Sequence, residues 1–164
     1  MDEDIKFLES NSKFKSTLSL KKIKRLKLLS DFKTEKIKPI LFVLKNYRTI
    51  TFCNSIEQCE QLGEFCIHSQ NEYRMEYLDD FNNKKINHIT SCDMLSEGVN
   101  ITDCNIGIFA RINASETQIY QRIGRILRHK HPVIILPYYM YTREEEIVKG
   151  EILPIFNPDK IFTI

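Results

Sequence analysis

The chain has 164 residues, of which 42% are hydrophobic and 28% charged, with a formal net charge of +2. That balance suits one soluble domain around one core, and excludes both a disordered chain and a protein whose whole surface binds polyanions. No apolar run reaches the roughly 18 residues of a membrane span, and the acidic start MDEDIKFLES has no signal-peptide pattern, so a cytoplasmic protein without a membrane partner is expected.

In chain order, residues 1–18 are polar and suggest no element. Residues 19–29, SLKKIKRLKLL, predict a basic helix, and 33–45 a second helix with Pro39 marking its first turn. Residues 1–34 are therefore assigned to an N-terminal helical or linker segment and 35–164 to the main domain. TITFC, 49–53, is β-branched and apolar and predicts a strand. Ser55 and Gln58 form an S-x-x-Q capping box that starts a helix running to about Leu62. Phe65 to His68 predicts a short strand. Glu72 to Phe81 predicts a helix, with Tyr73, Tyr77 and Phe81 at helical spacing. Ile86 to Cys92 and Ile106 to Ala110 predict strands, Gln118 to Arg128 a helix, and VIILP, 133–137, a buried strand. In the tail, YTREEEIVKG predicts a helix and EILPIF a strand or a wrap on the sheet, with Pro154 and Pro158 ruling out a long helix. Strands alternating with helices predict a mostly parallel sheet with right-handed crossovers, an α/β/α three-layer fold. Cys53, Cys59, Cys66, Cys92 and Cys104 are odd in number and contain no C-x-x-C, which speaks against a zinc site or a disulfide framework.

The segment QIYQRIGRILR, 118–128, carries the chemistry. On a helix turning about 100° per residue, Gln121, Arg125 and Arg128 fall within roughly 60° of one another. Ile119, Ile123, Ile126 and Leu127 lie opposite, and Arg122 sits at the edge of the polar stripe. Arginines opposite an apolar stripe suit a solvated face, but a planar guanidinium also suits phosphate oxygens. The small Gly124 among them suits close approach of another backbone or a ligand.

Three segments in order resemble the second RecA-like domain of the superfamily 2 DNA and RNA helicases. RTITFCNSIEQCEQL, 48–62, is similar to motif IV with its helix. ITSCDMLSEGVNI, 89–101, is similar to motif V. QRIGRILR, 121–128, is similar to motif VI. The resemblance covers roughly residues 20–140 and implies a RecA-like, P-loop-NTPase-like fold. It implies arginine fingers at Arg125 and Arg128, and nucleotide contacts from Gln121, Arg122, Glu97, Gly98 and Asn100. Arg122 is expected to pair with acidic groups of a first domain. Asn100 stands where the family often has an aspartate near the ribose, and equally suits a turn after a strand. Thr90, Ser91 and Asn54 are the implied contacts to the nucleic-acid backbone, whereas Ser55 is a helix cap first.

The chain contains no G-x-x-x-x-G-K-[ST] loop and no D-E-x-D or D-E-x-H quartet, the groups that hold a nucleotide and Mg2+. ATP and Mg2+ are therefore expected to be held mainly by a first RecA-like domain, in the same or another chain, and no metal site is assigned to this one. The implied function is the second motor domain of an ATP-dependent helicase or translocase, with DNA favoured over RNA. The alternative is a non-catalytic, helicase-derived module that binds nucleic acid or protein. Lys13 to Lys27 holds seven Lys or Arg residues, and suits either a solvated helix face or an extension of a nucleic-acid track.

Overall fold

The computed structural model describes residues 15–92, 101–112 and 116–163. Five parallel strands form the sheet, β1 (Thr49–Phe52), β2 (Cys66–Ile67), β3 (His88–Ser91), β4 (Ile106–Phe109) and β5 (Val133–Ile135), in the spatial order β2-β3-β1-β4-β5. β1 lies in the middle, level with both neighbours, so that Phe52 stands beside Ser91 on one side and Phe109 on the other. The chain crosses from β3 to β4 over β1, and the C-terminal ends of β3, β1 and β4 form the edge at which such sheets bind ligands.

Helices cover both faces. Helices α1 (Lys15–Val43) and α2 (Ile56–Leu62) lie on one face, over a core of Ile37, Cys59, Leu62, Ile106 and Ile108. Helices α3 (Arg74–Asn82) and α4 (Glu116–Ile126) lie on the other, over Ile50, Phe52, Ile89 and Phe109. Strand alternation does the sorting: in β1, Ile50 and Phe52 face α3 and α4, while Thr51 faces α2 and bonds His88 Nε2 at 3.0 Å. The short helix α5 (Arg143–Ile147) and the π-helical turn Val148–Ile152 complete the second face, burying Ile147, Val148 and Ile152 among the isoleucines of α4.

Several sequence expectations are corrected. Residues 19–29 and 33–45 are one helix of 29 residues with Pro39 inside it, so the boundary expected at 34/35 falls within α1. Ser30, in the gap expected between the two helices, and Lys33 and Thr34, at the expected start of the second, are polar yet buried and bonded. Gln58 Nε2 donates to Ser30 O and Thr34 Oγ1 at 3.2 and 3.0 Å. Lys33 Nζ donates to Ala110 O at 3.1 Å and Glu144 Oε1 at 2.6 Å. Polar groups satisfied in this way are compatible with a core-facing helix. β5 is an edge strand with Val133 47% exposed, not a buried one. EILPIF forms no strand; it wraps over the core in the π-helical turn and a 3-10 turn. Leu127, 46% exposed, lies past the end of α4 and leaves the apolar cluster.

Candidate nucleotide and nucleic-acid site

The seating of α4 decides which of its polar groups face outward. Ile119, Ile123 and Ile126 are each no more than 2% exposed. A Cβ on Gly107 of β4 would lie 2.8 Å from Ile126 Cγ1, so the helix packs directly on a strand position that has no side chain. Tyr120 donates from its hydroxyl to Glu151 O at 3.0 Å, which ties the other flank of α4 to the C-terminal turn. Past the helix end, His129 Nε2 lies 3.4 Å from Asp103. Asp103 also pairs with Lys84 at 2.6 Å, and Lys84 holds its carboxylate below the ordinary range.

Arg122 departs from the edge position expected for it. It is 4% exposed and stands over the Phe52 ring at 5.4 Å. Phe52 in turn packs on Phe109 with ring centroids 4.7 Å apart. The guanidinium is thus spent on the fold, as a cation over an aromatic face, and is not presented to acidic groups outside. Arg125 is half-buried and has a partner within the chain. Gln121, Gly124 and Arg128 are exposed. Nothing lies within 4 Å of a Cβ built on Gly124, so the outer face of α4 has a bare notch in the middle of its polar stripe.

The second group of residues sits at the strand ends. Asn54, two residues beyond β1, is half-buried, and its N–H donates to Gln58 Oε1 at 2.8 Å. The capping box is shifted by one residue: Ser55 Oγ accepts from Gln58 N at 3.1 Å, while the glutamine carbonyl serves Asn54 and not Ser55. Ser91, 2% exposed, ends β3 level with Phe52, and its hydroxyl has no hydrogen-bond partner. Thr90 points the other way and donates to Cys59 O at 3.2 Å with no exposed surface. Its hydroxyl is used inside the fold and is not presented at the strand-end edge. The structure therefore brings Asn54, Ser91 and Arg122 to one end of the sheet, separates Thr90 from them, and places Gln121 and Arg125 on α4, with Arg128 in the turn after it because the helix ends at Ile126 and not at Arg128. Glu97, Gly98 and Asn100 lie outside the described residues.

Two residues, His68 and Lys33, and the second role of Gln58 escaped sequence reasoning. His68 follows β2, is 6% exposed, and its Nδ1 has no hydrogen-bond partner; the register Ile67 opposite Ser91 places it at the same edge. Its only sequence signal is a polar HSQN turn after an apolar pair. Gln58 joins α2 to α1 through the bonds to Ser30 and Thr34. Lys33 joins α1, the end of β4 and α5; burial lowers its pKa against the opposing pull of Glu144. A cleft of about 290 Å³ lined by Glu60, Glu64, Cys66, His68, Gln70 and Asn71 opens behind β2. Its two glutamates oppose a phosphate, and it lies across the sheet from α4.

Among the described residues no three His, Cys, Asp or Glu side chains are grouped to hold a metal ion. None of the described helices is long and apolar enough to cross a membrane.

The family described as helicase conserved C-terminal domain matches residues 33–130, more than half of the chain. The DNA 3'-5' translocase XPB2 of Sulfurisphaera tokodaii is 28% identical over 113 residues, which cover 65% of this chain and 26% of that protein. Among solved structures, Dbp5 of S. cerevisiae bound to RNA and ADP BeF3 matches with a TM-score of 0.60 at 15% identity, over 74% of this chain and 35% of that one. The Hef helicase domain of Pyrococcus furiosus matches with a TM-score of 0.50 at 22% identity, over 88% of this chain and 33% of that one. The chain spans about a quarter to a third of the length of these relatives.

Proposed function

From the premise that this chain belongs to the helicase conserved C-terminal domain family, as the second RecA-like domain of a superfamily 2 helicase, we propose that it is the arginine-bearing half of an ATP-driven motor. In this reading the nucleotide is held by a first RecA-like domain, and α4 closes over it. Arg125 and Arg128 stabilise the negative charge that develops on the transferred phosphoryl group. Gln121 reports nucleotide occupancy across the interface. Arg122 acts as a positioning residue, holding α4 against Phe52 so that its neighbours stay aimed outward. Mg2+ and the triphosphate supply the phosphoryl chemistry, and this chain supplies cations and orientation.

The single observation that carries the reading is the outer face of α4. Three isoleucines and one arginine are buried beneath it, while Gln121, the Gly124 notch and Arg128 are left open to an approaching partner.

Nucleic acid is placed at the strand-end edge, where Ser91 has an unused buried hydroxyl and Asn54 stands beside it. Contacts of this kind reach the phosphate backbone and carry little base preference. DNA is favoured as the substrate, since the XPB2 relative is a DNA translocase.

The test is ATPase activity of the first and second domains together with a polynucleotide present. Arg125→Ala and Arg128→Ala should each lower turnover by about a thousand-fold or more, and the exposed Arg128→Ala should do so without changing the unfolding midpoint of the chain. The isolated chain should hydrolyse no ATP. Turnover by the chain alone that depends on Arg125, or full activity of both variants in the pair, would overturn the reading. The second outcome would return the chain to a binding module.

A further inference from the structure

We propose that the N-terminal half of α1 is a second nucleic-acid contact, a cationic arm standing beyond the strand ends and gripping the phosphate backbone of the strand that crosses them. The inference rests on the proposed function in one respect, that a nucleic acid lies along the C-terminal edge of the sheet.

The first observation is geometric. At about 1.5 Å per residue, the 29 residues of α1 extend roughly 43 Å, whereas a four-residue strand of this sheet covers about 13 Å. α1 runs antiparallel to the strands. Lys33 reaches Ala110, just past the end of β4, and Ser30 accepts from Gln58 in the first turn of α2. Lys27 lies 3.4 Å from Glu57, only two residues after the Ser55 cap. Residues before Lys27 therefore continue past the strand ends, on the side where Asn54 and Ser91 sit.

The second observation is charge segregation. Residues 11–30 hold seven Lys or Arg and no acid, so with a net charge of +2 the rest of the chain carries −5. Six of the seven lie on α1, and five of these, Lys15, Lys21, Lys22, Lys24 and Arg25, belong to the part that overhangs the proposed nucleic-acid edge.

The third is orientation. On a helix of about 100° per residue, Lys21, Lys24 and Arg25 fall within roughly 100° of one another. They stand opposite Ser30, Lys33, Thr34 and Ile37, the residues by which α1 packs on the domain. Lys24 is exposed. The ion pair of Lys27 with Glu57 joins side chains 63% and 60% exposed and holds little against competition by phosphates. The partner that fits is a polyphosphate backbone read without base contacts. Lipid fits less well, because among the described side chains the exposed Leu20 and Leu28 stand two turns apart with five cations between them in the chain and do not form the apolar face that a membrane-surface helix needs.

The experiment measures binding of the 164-residue chain to a labelled oligothymidylate by fluorescence anisotropy over a series of salt concentrations. The arm variant carries Lys21→Gln, Lys24→Gln and Arg25→Gln. A charge-matched control carries Lys36→Gln, Lys38→Gln and Lys45→Gln, all at exposed positions lower on α1 or just past its end. An edge variant carries Asn54→Ala and Ser91→Ala. The arm variant should bind about tenfold more weakly or worse, and the slope of log K against log salt should flatten by about 2, near 0.7 for each phosphate no longer neutralised. The control should stay within about threefold of the parent, and circular dichroism should show all variants folded.

Equal loss in arm and control variants would overturn the inference, since charge anywhere would then suffice. An arm variant that binds like the parent while the edge variant fails would also overturn it and leave the proposed function standing. Weakened binding by both the arm and the edge variants, with the control unchanged, would support the inference. Loss in the arm variant while the edge variant binds like the parent would overturn it together with the edge assignment of the proposed function, since no strand would then cross the strand ends. A parent chain that binds no oligonucleotide at low salt overturns both. Arm-dependent binding to phosphatidylserine vesicles with none to the oligonucleotide assigns the arm to membranes and refutes the proposal.

Discussion

Replacing Gly124 with alanine separates the stability of α4 from its proposed work. Within an α-helix, alanine is favoured over glycine by about 0.5–1 kcal/mol, because the glycine backbone loses more freedom on folding. That gain survives only if the new methyl meets no other part of the chain, and beyond the backbone of α4 itself and the two neighbouring residues nothing lies within 4 Å of a Cβ built there. For a chain of this size 1 kcal/mol moves the midpoint by about 2–4 °C, so Gly124→Ala should raise the Tm of the isolated chain by about 1–4 °C. In the motor proposed above the notch is assigned to the face toward the nucleotide-holding partner, and on that assignment a methyl wedged into a close interface should disfavour closure by about 1–3 kcal/mol. Stimulated kcat/KM should then fall about 5- to 150-fold. Thermal unfolding followed by circular dichroism, together with nucleic-acid-stimulated ATPase of the paired domains, reads both effects. A lower Tm would show that the notch is filled from within the chain. A higher Tm with unchanged ATPase would show that nothing approaches Gly124, and the assignment of this helix face to an interdomain cleft would fail.

Other perturbations probe the scaffold that holds the site. Gly107→Ala places a methyl 2.8 Å from Ile126 Cγ1 and 3.2 Å from Phe109 Cε2; it should destabilise the chain by about 1–3 kcal/mol and lower stimulated ATPase through a displaced α4, both read on the same samples as Gly124→Ala. Gln58→Leu removes the bonds that join the α2 cap to Ser30 and Thr34. With several buried groups left unpaired, urea unfolding should show a loss of about 2–4 kcal/mol, and a value near zero would contradict the linchpin role. Burial lowers the His88 pKa from 6.5 to about 4, so the unfolded chain takes up this proton at a higher pH than the folded chain. The stability due to neutral His88 is complete above pH 6.5 and is lost progressively as the pH falls toward 4, by about 3 kcal/mol in all. Urea unfolding at pH 7.5, 6, 5 and 4 should show a steeper decline for the parent chain than for His88→Asn, and parallel declines would refute this.

What the sequence discloses, and what it hides, follows from which interactions have a period. The strands at 49–53, 88–91 and 106–109 are short runs of β-branched and apolar residues, and the α4 isoleucines recur at helical spacing, so the parallel sheet and the seat of α4 are legible. α1 reads as two helices because Ser30, Lys33 and Thr34 are polar. They are instead satisfied by Gln58, Ala110 and Glu144, residues 24 to 111 positions away, and no local pattern encodes such partners. Arg122 is misplaced for a related reason. A helical wheel assigns a long side chain to an angle, but an arginine can fold its apolar stem along the core and lay its guanidinium on an aromatic ring, and the wheel does not contain Phe52. Thr90 and Ser91 look equivalent as adjacent hydroxyls. Strand alternation sends them to opposite faces, and only one of the two finds a carbonyl.

The contrast between Arg122 and Arg128 explains why one short helix carries so many cations. A guanidinium offered to a transferring phosphate must be held with little freedom, because charge stabilisation falls steeply when the donor is misaligned. An exposed arginine on a helix resting on isoleucines alone could roll, since apolar packing is weakly directional. A buried cation over Phe52, a hydroxyl bond from Tyr120 to Glu151 and the open seat at Gly107 constrain α4 from three sides. Arg122 is thus an internal fastening that fixes the direction of the outward stripe. Arg122→Lys keeps the charge but loses the planar stacking surface. In the paired motor that variant should lower kcat and leave nucleic-acid affinity unchanged, whereas Arg122→Met, which fills the space without charge, should keep the fold and separate packing from aiming. If both variants retained full turnover, the fastening would contribute nothing to the alignment of Arg125 and Arg128.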